Sequence, residues 1–225
     1  MYWILFIAVA IASWIAQLSL QRKFEKYSKI PIRSGKTGRY VAEKMLKDNG
    51  IDDVSVTNVS GQLTDHYNPA KHTVNLSEGV FDSQSVMAAA VAAHECGHAL
   101  QHAKGYLPLK IRSSLVPVVS FSSKILSLVL LAGMLLINAV PQIMLVGIIL
   151  FALTTLFSFI TLPVEINASK RALVWLEQSG VTDPYNHAAA QSALRAAAYT
   201  YVVAALSSLA TLIYYIVLFT GGSKR

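Results

Sequence analysis

Four apolar runs limit what this 225-residue chain can become. They are Tyr2 to Leu20, Val118 to Ile137, Ile143 to Leu162 and Val202 to Phe219. Each is close to the ~20 residues that carry a helix across a hydrocarbon core about 30 Å thick. Helix is the form open to a lone apolar segment there, because lipid offers no partner to an unpaired backbone N–H or C=O. The composition fits: 54% of residues are hydrophobic, 14% are charged and the mean hydropathy is +0.48. An ordinary water-soluble domain is less apolar and more charged. The expected fold class is therefore mostly α, an integral membrane protein of about four transmembrane helices with a small α+β region between them.

The first run is expected to stay as an anchor. A cleaved signal peptide wants a positive leader before the apolar stretch and a small-x-small site after it. Here the chain starts Met1-Tyr2-Trp3, and the run ends in Gln17-Leu18-Ser19-Leu20-Gln21-Arg22-Lys23. Beyond it stand Arg22, Lys23, Lys26, Lys29, Arg33, Lys36 and Arg39 against Glu25. The positive-inside rule puts that flank in the cytoplasm, where it can also meet anionic headgroups. The net charge of +7 is thus read as a topology signal, and no nucleic-acid partner is expected. Lys224 and Arg225 at the other end would fall outside, mildly against that rule. The single cysteine, Cys96, excludes an internal disulfide and reads as a small buried filler.

The chemistry is concentrated in His94-Glu95-Cys96-Gly97-His98, an H-E-x-x-H pattern inside an Ala-rich stretch without proline. Such a stretch predicts a helix. On a helix, residues four apart share a face, so His94 and His98 can reach one ion. Zn²⁺ accepts imidazole nitrogen and a tetrahedral shell with one position open to water. Glu95 lies beside the first histidine and can act as a general base without being a ligand. Gly97 costs the helix about 1 kcal/mol relative to alanine, and a close neighbour over the helix would explain it.

The surrounding soluble region reads as short elements. Thr37 can cap a helix through Tyr40, Val41, Met45 and Leu46 that stops at Asn49-Gly50. Val54 to Val59 alternates as a strand, and His72 to Leu76 reads as a second one. The second is expected to be the extended edge that pairs with a substrate backbone. Ser83 or Ser85 would cap the H-E-x-x-H helix. Asn138-Ala139-Val140-Pro141 allows a tight turn between the two central spans. Residues from Pro163 read as a helix ended by Gly180, and Asp183-Pro184 opens the next.

Two histidines do not complete a hydrolytic zinc shell, which usually has three protein ligands and a water. His102 is four residues beyond His98, but eight residues of helix rise about 12 Å, too far for one ion to gather His94, His98 and His102. The two central spans carry the chain out and back. Glu165 is the first acidic residue after them, and only Glu165, Glu177 and Asp183 are acidic beyond residue 95. That makes Glu165 the expected third ligand; the bland alternative is a surface charge beside the membrane.

Three stretches together resemble a family: Gly61 to Pro69, Val91 to His102, and Leu162 to Ala172. They are similar to the YugP-type membrane zinc metallopeptidases of bacteria, and the likeness covers nearly the whole chain. More distantly, the chain is similar to the prenyl-protein and heat-shock membrane proteases, which also carry H-E-x-x-H, a membrane hairpin and a later Glu ligand. Those proteases often place an Asp four residues after that Glu, where this chain has Ser169.

The resemblance implies a zincin-like metalloendopeptidase with one Zn²⁺ per chain, multi-pass in the bacterial inner membrane. Its site would face the cytoplasm. The implied reaction hydrolyses peptide bonds of membrane or membrane-proximal proteins, using a zinc-activated water and Glu95 as base. His94, His98 and Glu165 are the expected ligands. His66, Tyr67 and Arg171 are candidate contacts to substrate or transition state, and Ser169 and His102 candidate supports behind the ligands. The expected partners are a protein or peptide substrate and the bilayer. The expected division is an anchor over 1–20, a zincin-like region over 21–114 and a membrane hairpin over 115–162. A helical region with the third ligand follows over 163–199, then a last span and tail over 200–225. The rival class is a multi-pass scaffold or transporter whose structural metal is closed by a fourth protein ligand, His66 or His102.

Overall fold

A computed structural model describes residues 2–222; Lys224 and Arg225 lie outside the described residues. Among the described residues, seven helices and three strands follow in order: α1 (Tyr2–Ser28), α2 (Gly38–Asp48), β1 (Ser55–Val59), β2 (His66–Asn68), β3 (Thr73–Ser77), α3 (Glu78–Phe81), α4 (Val86–Ala103), α5 (Leu107–Leu135), α6 (Pro141–Gln178) and α7 (Pro184–Gly222). The chain is mostly α, as its apolar runs predict, with one small sheet. Helices α1, α5, α6 and α7 are each long and apolar enough to cross a membrane.

The contacts divide the chain into two units. The first holds the described part of Met1–Ile15, Lys110–Leu162 and Tyr201–Arg225. Within it, Leu130, Met144 and Ile148 are buried against Leu126, Phe151, Leu212 and Phe219. The hairpin closes tightly: a Cβ on Gly133 would lie 2.7 Å from the Met144 Cα. Thr155 and Ser208 share a hydroxyl–hydroxyl bond of 2.7 Å. Much of the apolar surface of this unit faces outward, including Trp3, Ile7, Trp14, Phe121, Leu128 and Ile213. Outward apolar side chains suit helices solvated by lipid tails.

The second unit, Ala16–Leu109 with Pro163–Thr200, has an inward core. Met45, Val41, Val74, Leu76, Val80, Val86 and Leu176 are fully buried in it. The local rules predicted from sequence are met. Thr37 accepts the Tyr40 N–H at 3.2 Å and starts α2, and Gly50 takes the left-handed φ of +67° after its end. Ser85, steadied by Ser83, accepts the Ala88 N–H at 3.1 Å and starts α4. Asp183 accepts from Asn186 N at 2.7 Å and starts α7.

Three features differ from the expectations. The sheet order is β1-β3-β2, with β1 parallel and β2 antiparallel to β3. His72–Leu76 therefore falls on the central strand: both its edges are filled, and the open edges belong to β1 and β2. Strand β2, His66–Asn68, was not expected as a strand at all; three residues are too short to show a period. Finally, the second central span and the segment after Pro163 are one helix, α6, with Pro163 inside it. Proline removes a single N–H, and a long helix with neighbours can tolerate that loss.

Candidate metal centre

All the residues of the candidate site belong to the second unit. Helix α4 supplies His94, Glu95 and His98, and α6 supplies Glu165. The four-residue spacing stacks the two imidazoles on one face, with ring centroids 4.8 Å apart and planes at 85°. Glu165 Oε2 lies 3.3 Å from His94 Nε2 and 3.7 Å from His98 Nε2. The three groups offer ligand atoms within 4.8 Å of one another. Glu165 is only 3% exposed, so its charge sits where water cannot screen it well.

The helices can approach because of Gly97. A Cβ there would lie 2.6 Å from the Ala168 carbonyl oxygen on α6. Ala168 is three residues after Glu165, one turn along the same helix. The glycine between the two histidines is thus the contact point that lets a carboxylate of α6 reach imidazoles of α4.

The far side of each ring is also occupied. His94 Nδ1 is 3.1 Å from Ser169 Oγ, and His98 Nδ1 is 3.1 Å from Gln101 Oε1. Both Nε2 atoms are left turned toward one carboxylate oxygen. Burial pulls the His98 pKa down, but the hydrogen bond with Glu165 and the charges of Glu95 and Glu165 outweigh it and hold the pKa above the usual histidine value. The pocket thus favours a positive charge between the nitrogens and the carboxylate. A divalent cation bound by two imidazoles and a carboxylate meets the same demand, and that donor set suits zinc.

Glu95 is buried, and its Oε2 accepts the Tyr67 backbone N–H at 3.0 Å. Tyr67 lies on β2, so this edge strand holds the carboxylate in place. The Tyr67 hydroxyl is 2.9 Å from His102 Nδ1, which places His102 against Tyr67; it does not belong to the group of His94, His98 and Glu165. His66 Nδ1 is 2.8 Å from the Thr64 carbonyl. Arg171 donates from Nε to Asn167 Oδ1 at 2.7 Å. Cys96, on α4 itself, is buried against α2, its Sγ 3.5 Å from the Ala42 carbonyl; burial first, then the charge of Glu95, pushes its thiol well up.

Sequence reasoning missed Gln101 and Asn167. Gln101 is fully buried and joins α4 to α6 through Val164 O at 2.8 Å and Asn167 Oδ1 at 3.1 Å. A polar residue three positions after His98 inside an apolar helix was the available signal.

Comparison with known proteins gives a family of zinc metallopeptidases. The family described as "Putative neutral zinc metallopeptidase" matches residues 2–220. The "Putative membrane protease YugP" of Bacillus subtilis (strain 168) is 44% identical over 217 residues, covering 96% of this chain and 94% of that protein. No solved structure matches the chain. With the family match running over nearly its whole length, the chain belongs to this zinc metallopeptidase family.

Proposed function

We propose that the chain is a membrane-embedded zinc endopeptidase that cuts membrane or membrane-proximal proteins. His94, His98 and Glu165 hold one zinc ion and Glu95 is the general base. The observation that carries this reading is the convergence of both Nε2 atoms on Glu165 Oε2, with Glu95 on the same helix. Zinc bound there would supply Lewis acidity, polarising a peptide carbonyl and acidifying water toward neutral pH.

The protein's own groups do the rest. Tyr67 N–H fixes one Glu95 oxygen, leaving the carboxylate oriented to take a proton from water and return it to the leaving nitrogen. Ser169 supports His94, and His102 orients Tyr67 through its hydroxyl. Among His66, Tyr67 and Arg171, Tyr67 is the best placed to meet the developing oxyanion, because its backbone already touches Glu95. Strand β2, rather than β3, is the edge a substrate backbone would join. The basic flank after the first apolar run, from Arg22 to Arg39, favours a site facing the cytoplasm of a bacterial cell.

A structural metal would be closed by a fourth protein ligand. The histidines offered for that place bond elsewhere, His66 to Thr64 O and His102 to Tyr67 Oη, which favours the open site. The test is Glu95→Gln in the full-length protein. The variant should keep one zinc per chain and lose cleavage, so that fragments seen in membranes with the wild type are missing from membranes with the variant. Cutting at near wild-type rate would overturn the mechanism.

A further inference from the structure

We propose that Gln101 is a positioning residue for the metal centre: it holds His98 with the proton on Nδ1 and the lone pair on Nε2 while clasping the helix that carries Glu165. The inference rests on the zinc reading above and adds to it a residue that the H-E-x-x-H pattern does not contain.

A primary amide has two ends of similar shape, and its neighbours decide which way it points. Two independent neighbours decide it here. At one end, the Gln101 amide meets the Val164 carbonyl at 2.8 Å. A carbonyl only accepts, so the atom facing it must be the nitrogen. The same end also meets Asn167, whose orientation Arg171 fixes: Arg171 Nε only donates and lies 2.7 Å from Asn167 Oδ1. Asn167 therefore presents its oxygen there, and the Gln101 atom 3.1 Å from that oxygen must again be a donor. Both anchors put the Gln101 nitrogen toward α6 and the oxygen toward His98.

That oxygen can only accept, so His98 must offer an N–H at Nδ1, 3.1 Å away. A neutral imidazole has one N–H. Its Nε2 then carries the lone pair, and Nε2 is the atom 3.7 Å from Glu165 Oε2. A ligand nitrogen needs this state, and the hydrogen bond on its far side sets ring rotation and basicity. Ser169 cannot do as much for His94, since a hydroxyl both donates and accepts.

Position explains why one side chain suffices. Gln101 lies three residues after His98, on the same face of α4. Its backbone contact on α6 is Val164, the residue just before Glu165. One fully buried amide therefore sets the orientation of one ligand and the distance to the helix of another. Asn167 and Arg171 hold the amide from behind.

The test uses full-length, detergent-solubilised protein and measures zinc affinity by chelator competition. Gln101→Leu removes the acceptor and should weaken zinc binding about 10–100-fold. Gln101→Glu keeps an acceptor for His98, and when protonated also a donor for Val164 O. It should bind zinc like the wild type. A merely structural role would lower the thermal stability of the zinc-free protein in the leucine variant and leave zinc affinity alone. The ring nitrogens of His98, labelled with ¹⁵N in the zinc-loaded protein, give a second readout. Nδ1 should carry a slowly exchanging proton in the wild type and a fast-exchanging one in Gln101→Leu. If the leucine variant does not accumulate, Gln101→Met keeps the length without the acceptor. Unchanged zinc affinity in Gln101→Leu, or an equal loss in Gln101→Glu, would overturn the inference alone. A wild-type protein that takes up no zinc would overturn the zinc reading and this inference with it.

Discussion

At the scale of single residues, the site is a set of buried charges that make sense only together. Glu165, almost without exposure, faces two imidazoles, and each member is costly to bury without the others. Glu165→Ala should therefore lower zinc occupancy about as much as His98→Ala, whereas Ser169→Ala should retain measurable metal with an affinity ~10–100-fold weaker. Zinc stoichiometry on purified variants decides it, and full zinc in Glu165→Ala would remove that residue from the shell. The His98 shift gives a pH dependence. Burial pulls its pKa down, but the Glu165 hydrogen bond and the nearby carboxylate charges together raise it by more, so the net direction is up. A raised folded pKa stabilises the zinc-free protein at pH below the unfolded value, and that stability is lost as pH rises through the folded value. Zinc competes with the same proton, so its affinity should fall as pH drops through the raised value, and loading near that pH should release a proton. Calorimetry in buffers of different ionisation enthalpy measures the release; no release there would show that His98 is already neutral. His94, Glu95 and His98 were legible in the sequence because a helix turns a four-residue spacing into a shared face. Gln101 and Asn167 were not, because their bonds join helices across 63 and 66 residues and leave no local period.

At the scale of elements, the contact between α4 and α6 governs the site. Gly97 is where the two backbones meet, and a methyl group added there would press on the Ala168 carbonyl at 2.6 Å. A backbone cannot swing aside as a side chain can, so Gly97→Ala should cost about 1–3 kcal/mol of stability by overpacking. By moving α6 it should weaken zinc as well. Ser85→Ala is the control: it removes the α4 cap, costs about 1 kcal/mol and should leave the metal affinity of the folded protein unchanged. Thermal unfolding beside chelator competition separates the two effects, and equal zinc affinity in Gly97→Ala and wild type would show that the helix contact does not set the ligand geometry. The sequence announced Gly97 through its cost in an Ala-rich helix, but not which element lay over it. It also announced two strands by their alternation, while their neighbours were hidden: a period of two reports which residues share a face and says nothing about which edge is filled. The sequence reads as a span ending at Leu162 and a separate helix from Pro163, yet α6 runs through both.

At the scale of the whole molecule, the spans and the basic residues together fix an expected arrangement across the membrane. Among the described residues, four helices are long and apolar enough to cross. The residues after the first apolar run, from Arg22 to Arg39, are dominated by lysine and arginine, and such flanks stay in the cytoplasm. Counting from there, α5 would lead outward, the turn at Asn138 would lie outside, and α6 would return Glu165 and Ser179 to the side of Lys29. This would return His94, His98 and Glu165 to one aqueous face, as a shared ion would require. Cysteines placed singly at positions 29, 138 and 179 test it with a membrane-impermeant thiol reagent. The native Cys96 should not interfere, because it is fully buried and its thiol is pushed well up by burial and by Glu95, which leaves little reactive thiolate. Labelling from outside is expected at 138 alone. Labelling at 29 and 179 but not at 138 would turn the protein over and put the site on the outer face. Labelling at 29 without 179 would instead break the span count, and with it the route by which the hairpin returns Glu165 to His94 and His98.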